Sequence, residues 1–356
     1  MTETFTAQPA RASATRDIPA AITAIRETLG ERLAILSHHY MRDEVVRHSD
    51  LRGDSLELAR RIDGLKAESI VFCGVFFMAE TAAILRQPGQ KIYIPSHKAS
   101  CTMADQAPAG LVRIALERLS ASGRRIVPLT YVNSSAEVKA VVGAAGGSVC
   151  TSANARTMLD WATKQGDAVL FLPDRNLAMN TARDLDIAPS RQHILDIRKA
   201  GSRIDLDAAD AADLLIWPGS CCIHHKFKAE DVAEIRAGDP GCLVVVHPEC
   251  RPEVVLAADS AGSTRHIIQY VEDAPEGATI YVGTETSLVL RLKKQFEGRR
   301  TVLPLGMSFC GGMGRVTEAG LLRTLEHLDA EPVVEVPENV ACDAKIALER
   351  MLVACS

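Results

Sequence analysis

The sequence predicts an α/β protein of three similar three-layer α/β/α domains with parallel sheets, arranged with pseudo-threefold symmetry around a central active site. Two observations carry this reading. Short apolar, β-rich runs alternate with amphipathic stretches of helical length, which is the pattern of βαβ units and parallel sheets. A polar motif then recurs just after the first strand of each set. That repetition argues for three units and against a single nine-stranded sheet.

In chain order, the first unit has strands expected at RLAILS (32–37), SIVFC (69–73) and KIYIP (91–95), with helices over 55–63 and 78–87. The second has RIVPL (125–129), SVCT (148–151) and AVLFLP (168–173), with helices over 135–142 and 154–164. The third has CLVVV (242–246), TIYV (279–282) and TVLPL (301–305), with helices over 264–272 and 287–295. The units are expected to span 18–100, 101–219 and 220–311. Residues 312–356 are expected to pack against the first unit, and residues 1–17 to form a disordered tail.

Composition narrows the function classes. The chain has 356 residues, 47% of them hydrophobic and 24% charged, which is ordinary globular usage and excludes wholesale disorder. A net charge of -5 argues against a nucleic-acid binder that relies on bulk positive charge. No apolar run approaches the roughly 20 residues of a membrane span. The first 17 residues lack the apolar core of a secretory signal, so a cytoplasmic location is expected. In that compartment ten cysteines are a poor disulfide framework. They are buried thiols, metal ligands or catalytic groups.

The recurring motif reads His38-His39-Tyr40, Tyr131-Val132-Asn133 and His247-Pro248-Glu249. Residues i and i+2 of an extended segment share a face, so each motif offers one polar pair. Ligands of parallel sheets bind beyond the carboxyl ends of the strands, where three such pairs could meet. Hydroxyl-bearing helix starts follow at Gly53-Asp54-Ser55, Ser134-Ser135, Thr151-Ser152, Gly262-Ser263-Thr264 and Gly283-Thr284-Glu285. Each is either a simple cap or an anion site, and several converging on one centre would suit a substrate with carboxylates or a phosphate.

Among the cysteines, Cys73, Cys150, Cys242 and Cys250 sit in or beside apolar strands, where burial explains them. Cys101 and Cys310 each follow a strand-end proline, Pro95 and Pro304, by six residues. The second unit offers Pro173, but its next cysteines, Cys221 and Cys222, come after an insertion. One loop cysteine per unit gives three potential thiolates without the paired spacing of a structural zinc site. The spacing leaves metal or cluster binding and plain burial both open.

A set of longer motifs then carries a resemblance. In order they are ILSHHY (35–40), GDSLELA (53–59), FCGVFFMAET (72–81), CTMAD (101–105), YVNSSAEVKA (131–140) and CTSAN (150–154). FLPDRNL (171–177), WPGSCCIH (217–224), VHPEC (246–250), GST (262–264), GTE (283–285) and CGGM (310–313) complete it. In these motifs the chain resembles the quinolinate synthase family, iron–sulfur enzymes of de novo NAD biosynthesis. The resemblance implies three α/β/α domains about a pseudo-threefold axis. It implies condensation of iminoaspartate (iminosuccinate) with dihydroxyacetone phosphate to quinolinate, phosphate and water. It also implies a 4Fe–4S cluster with three cysteine ligands and one open iron, mapped onto Cys101, Cys221 and Cys310, with Cys222 the rival in the middle.

Substrate-binding positions implied in the same way are His38, Ser55, Tyr131, Asn133, Ser152, His247, Glu249 and Thr264. Glu249, His247, Tyr131, His38 and Tyr40 are the implied catalytic set, with Glu249 first choice as general base. L-aspartate oxidase is the implied functional partner. Three departures stand out: His39 where many members have Asn, extra residues at Gly143–Gly147, and Gly312-Met313 where some members have further cysteines. His39 is expected to point away from the site, and His224-His225 to play structural or supporting roles. The alternative chemistry is a zinc- or iron-dependent aldolase or hydro-lyase with His38, His247 and Glu249 as ligands. A third reading is a non-catalytic cluster-binding or redox-sensing protein.

Overall fold

Residues 17–62 and 64–355 are described by a computed structural model. The expected N-terminal tail therefore falls outside the described residues except for Asp17, which caps the helix Ile18–Leu29 by accepting from Ala20 N. Strands and helices alternate, and every strand pairing is parallel. The strands form three separate sheets.

The first sheet contains β1 (Leu33–His38), β2 (Leu51–Gly53), β3 (Ser69–Cys73) and β4 (Lys91–Tyr93), in spatial order β2-β1-β3-β4. The second contains β5 (Ile126–Tyr131), β6 (Ser148–Cys150), β7 (Ala168–Leu172), β8 (Gln192–Ile194) and β9 (Leu214–Ile216), in order β6-β5-β7-β9-β8. The third contains β10 (Leu243–Val246), β11 (Ser260–Ala261), β12 (Thr279–Gly283) and β13 (Thr301–Pro304), in order β11-β10-β12-β13. The long central strands β1 and β5 are buried at every residue, because helices cover both faces of a parallel sheet.

All nine expected strands are present, and four more join them: β2, β8, β9 and β11. The edge strands β2 and β11 hold three and two residues, too short to show a periodic pattern. The additional strands change the internal alignment of the units. In the second sheet β6 occupies the edge place of β2 and β11, β7 that of β3 and β12, and β9 that of β4 and β13. The proline equivalent to Pro95 and Pro304 is therefore Pro218, just after β9, and not Pro173.

The C-terminal segment divides between two units. The helix Glu318–Glu326 lies against Ile18–Leu29 of the first unit, as expected for the whole segment. The longer helix Glu338–Ala354 instead lies against Ala136–Ala144 and β6 of the second. Gly143 makes this close approach possible, since a Cβ there would fall on the Asp343 carbonyl oxygen. Arg350 Nη1 then donates to the carbonyls of Gly143 and Gly147 at 3.1 and 2.7 Å. The end of the helix Ala136–Ala144 and Gly147 thus help to seat the C-terminal helix. Among the described residues no helix is long and apolar enough to cross a membrane.

Candidate active site

The carboxyl ends of the three sheets face one buried cavity. His38 closes β1, Tyr131 closes β5, and His247 follows β10 directly. His38, Tyr40, Ser55, Cys101, Tyr131, Asn133, Ser152, Cys221, His247, Glu249, Thr264 and Cys310 all line this cavity. The catalytic, substrate-binding and cysteine positions that the resemblance implies thus lie in one place, whereas the helix starts at Ser135 and Glu285 do not line it. Ser55 opens the helix after β2, Ser152 precedes the helix Ala155–Thr163 after β6, and Thr264 opens the helix after β11. Each unit thus turns a hydroxyl beside a helix start toward the common space, an arrangement that favours anions.

The first and third units build the same small turn. Tyr40 N donates to His38 Nδ1 at 3.1 Å, and Glu249 N donates to His247 Nδ1 at 3.3 Å. A ring whose Nδ1 accepts carries its proton on Nε2 when neutral. Burial, with neighbouring histidines adding to it, pushes both His38 and His247 down to about 3, so both rings are neutral at pH 7. Tyr40 bridges to the third unit: its Oη lies 2.8 Å from Thr284 Oγ1 and accepts from Thr264 Oγ1 at 3.2 Å. His39 does not line the cavity; its Nε2 lies 3.7 Å from Glu57.

Glu249 is the anionic centre. Burial alone would raise its carboxyl, but His224 and His247 beside it, with hydrogen bonds from His224 and Tyr131, prevail and hold it at about 2. Its Oε2 lies 2.5 Å from His224 Nδ1, and His224 Nε2 lies 3.0 Å from Thr284 Oγ1. The His224 and His247 rings stack with centroids 4.3 Å apart. Burial, with Glu249 adding to it, pushes the Tyr131 phenol well above its usual value, so it is a neutral donor. His224 is the residue that the sequence reading undervalued. Only its neighbour His225 turns away, toward Arg251 at 3.2 Å.

The cysteine loops settle into register through one repeated bond. Phe76 N donates to Ala99 O, Arg175 N to Gly219 O, and Thr286 N to Ser308 O, at 2.7, 2.8 and 2.9 Å. Each acceptor stands two residues before a cysteine: Cys101, Cys221 and Cys310. Cys221, and not Cys222, is therefore the structural counterpart of the other two. Cys222 is exposed and does not line the cavity. Gly312 packs against the Ser100 carbonyl so closely that a Cβ would collide with it, which draws the Cys310 and Cys101 loops together.

Each sulfur also accepts backbone N–H groups from the residues just after it, Met103 and Ala104, His224, or Gly312 and Met313. Burial pushes the Cys101 thiol up to about 12 and raises Cys221 and Cys310 as well. Three clustered buried thiols become thiolates only with a cation to compensate them, which is the chemistry of a metal centre. A second compact donor set, Cys221, His224 and Glu249, has its ligand atoms within 4.8 Å of one another. The trio His38, His247 and Glu249 does not form such a set among the described residues.

Comparison with known proteins agrees with this architecture. The profile of a family described as Quinolinate synthetase A protein matches residues 20–353. The chain belongs to that family. It is 42% identical to the quinolinate synthase of Streptomyces coelicolor over 346 residues, covering 94% of this chain and 88% of that one. It is 43% identical to that of Bacillus velezensis, with 93% and 91% covered. It is 41% identical to that of Bacillus subtilis, with 95% and 93% covered.

Proposed function

We propose that this enzyme condenses iminoaspartate with dihydroxyacetone phosphate to give quinolinate, phosphate and water, a step of NAD biosynthesis. The observation that carries the reading is the meeting of three cysteines, three helix-start hydroxyls and the Glu249 centre in one buried cavity. Cys101, Cys221 and Cys310 would hold a 4Fe–4S cluster, one from the loop after the last strand of each sheet, with one iron left to the substrate. When bound, that iron supplies a Lewis acid for a substrate oxygen and eases the loss of water.

The remaining chemistry falls to side chains. Ser55, Ser152 and Thr264, with Asn133, bind the carboxylates and the phosphate at the helix starts. His38 and His247 are neutral while the cavity is empty, and an anionic substrate raises their proton affinity. The ligand thus prepares its own acid–base partners. Glu249 held near 2 is a weak base alone, but the proton it takes is shared with His224 across 2.5 Å. We therefore assign general base action to the Glu249–His224 pair. Tyr131 donates to Glu249 and is the neutral acid nearest to it. Tyr40, bonded to Thr264 and Thr284, closes the cavity between the first and third units.

The small-molecule imine is unstable, so an oxidase acting on L-aspartate is the functional partner we expect, in the cytoplasm. A second reading rests on the Cys221, His224 and Glu249 set, which could take a single zinc or iron ion. It would have to give up the His224–Glu249 bond. Anaerobic purification with iron and sulfide analysis separates the two. Iron with equal sulfide and a brown chromophore, together with quinolinate formed from the two substrates, supports the first; a colourless zinc protein overturns it.

A further inference from the structure

Asp174 and Glu285 do not line the cavity, yet each holds a cysteine from behind. Both are N-cap residues of the helix after the third strand of their unit, ahead of Arg175–Asp184 and Thr286–Gln295. One oxygen of each caps the helix: Asp174 Oδ1 accepts from Leu177 N at 2.7 Å, and Glu285 Oε2 from Ser287 N at 2.7 Å. The other oxygen reaches the cysteine loop. Asp174 Oδ2 accepts from Cys221 N at 2.8 Å, and Glu285 Oε1 from Cys310 N at 3.1 Å.

Both side chains are buried, at 0% and 2% exposure, where a carboxylate is costly unless its oxygens are hydrogen-bonded. Capping alone does not require that cost. Ser135, Ser263 and Thr317 cap other helices of this chain with a single hydroxyl. A hydroxyl offers a single oxygen on a short stem, whereas the two oxygens of a longer carboxyl group reach the helix start and the cysteine N–H separately. The first unit makes the contrast: the same position is Val75, whose side chain makes no capping bond. The repeated bonds from Phe76, Arg175 and Thr286 show that the three positions are equivalent.

We propose that Asp174 and Glu285 are positioning residues that pre-set Cys221 and Cys310 for ligation by tying each cysteine's N–H to the start of a helix. This rests on the cluster reading above. It makes the three ligands unequal: two are anchored through buried carboxyl groups, and Cys101 through packing and its own loop. Removal of the second oxygen frees a backbone N–H beside the metal centre and loosens the thiolate.

The test uses the full chain with its cluster reconstituted anaerobically. Asp174→Ser and Glu285→Ser keep a capping hydroxyl and lose the reach to the cysteine. Asp174→Glu and Glu285→Asp keep two oxygens. Asp205→Ala removes an exposed cap, bonded to Ala208 N, that serves no cysteine. The readouts are iron and sulfide per chain, the rate of iron loss to a chelator, and the EPR spectrum of the reduced protein. The serine variants should lose iron roughly 10- to 100-fold faster, the usual scale for groups that orient metal ligands, with an altered EPR spectrum. The exchanged acids should recover most of the retention, and Asp205→Ala should match the unaltered chain. Should a serine variant fail to fold, Asp174→Asn and Glu285→Gln take its place, with one acceptor lost and iron release at least several-fold faster. Folded variants that hold iron as long as the unaltered chain, with an unchanged spectrum, overturn this proposal alone. An unaltered chain that takes up no cluster overturns the cluster reading and this one with it.

Discussion

The first and second units share one continuous apolar core, whereas the third has two apolar clusters of its own, one on each face of its sheet's strands, and meets the others largely through polar bonds. The shared core runs from Ile22 through Phe72 and Trp217 to Met351 of the C-terminal helix. At the seam with the third unit, Asn176 Nδ2 donates to Glu249 O at 3.0 Å, and Asn180 Nδ2 to Pro248 O and Cys250 O at 2.8 and 2.9 Å. Arg291 reaches from the third unit to the carbonyls of His39 and Met41 and to Asp43. The difference teaches where function can sit. An apolar seam stabilises but presents no chemistry. A polar seam holds buried donors and acceptors that satisfy one another across units, and these set the backbone that carries Glu249.

The sharpest break of this comparison is at the cysteines, which draw on every unit whichever core it belongs to. Cys101→Ser, Cys221→Ser and Cys310→Ser should each abolish the intact cluster and with it quinolinate formation, while Cys222→Ser retains both. Iron and sulfide analysis checks this. A Cys222→Ser chain without cluster beside a normal Cys221→Ser chain would reverse the register drawn from the repeated helix bonds.

On the polar seam, Glu249→Gln keeps the shape and loses the charge. Turnover should fall by about two to four orders of magnitude, with cluster content unchanged. Steady-state rates on reconstituted protein decide it, and near-normal turnover would remove Glu249 from proton transfer.

The shared core should respond in the opposite way. Gly143→Ala drives a methyl group into the backbone of the helix Glu338–Ala354, and overpacking of this kind costs about 1–3 kcal/mol. Thermal unfolding should show a lowered midpoint, while turnover per folded molecule stays normal at temperatures well below it. A loss of turnover without a loss of stability would show that the C-terminal helix serves the site directly.

The smallest effect is the pH dependence of the empty cavity. His38 and His247 have values near 6.5 when unfolded and about 3 in the fold, so the unfolded chain takes up protons first as pH falls. Their contribution to stability is whole above about 6.5 and is lost progressively from there toward 3. His247→Gln should flatten the fall in melting temperature between pH 7 and pH 5. An unchanged slope would mean that His247 is not the group that charges.

By itself the sequence determined the alternation of strands and helices, the threefold recurrence and the polar pairs after the first strands; the full set of cavity residues came from the family resemblance. The patterns are local facts: an apolar run makes a strand, and a polar pair after it points beyond the sheet edge. His38, Tyr131 and His247 were legible for that reason. Tertiary structure alone decided which strand of the second unit answers which in the others. Edge strands of two or three residues carry no pattern, and equivalence is a property of pairing across the sheet. For the same reason Pro218, not Pro173, marks the approach to Cys221, although the WPGSCC motif had already placed that cysteine. His224 gained its role only when the fold set it between Glu249 and Thr284. Asp174 and Glu285 read in the sequence as ordinary helix starts. Their second bond, to a cysteine 47 or 25 residues away, exists only once the strands have brought the loops side by side.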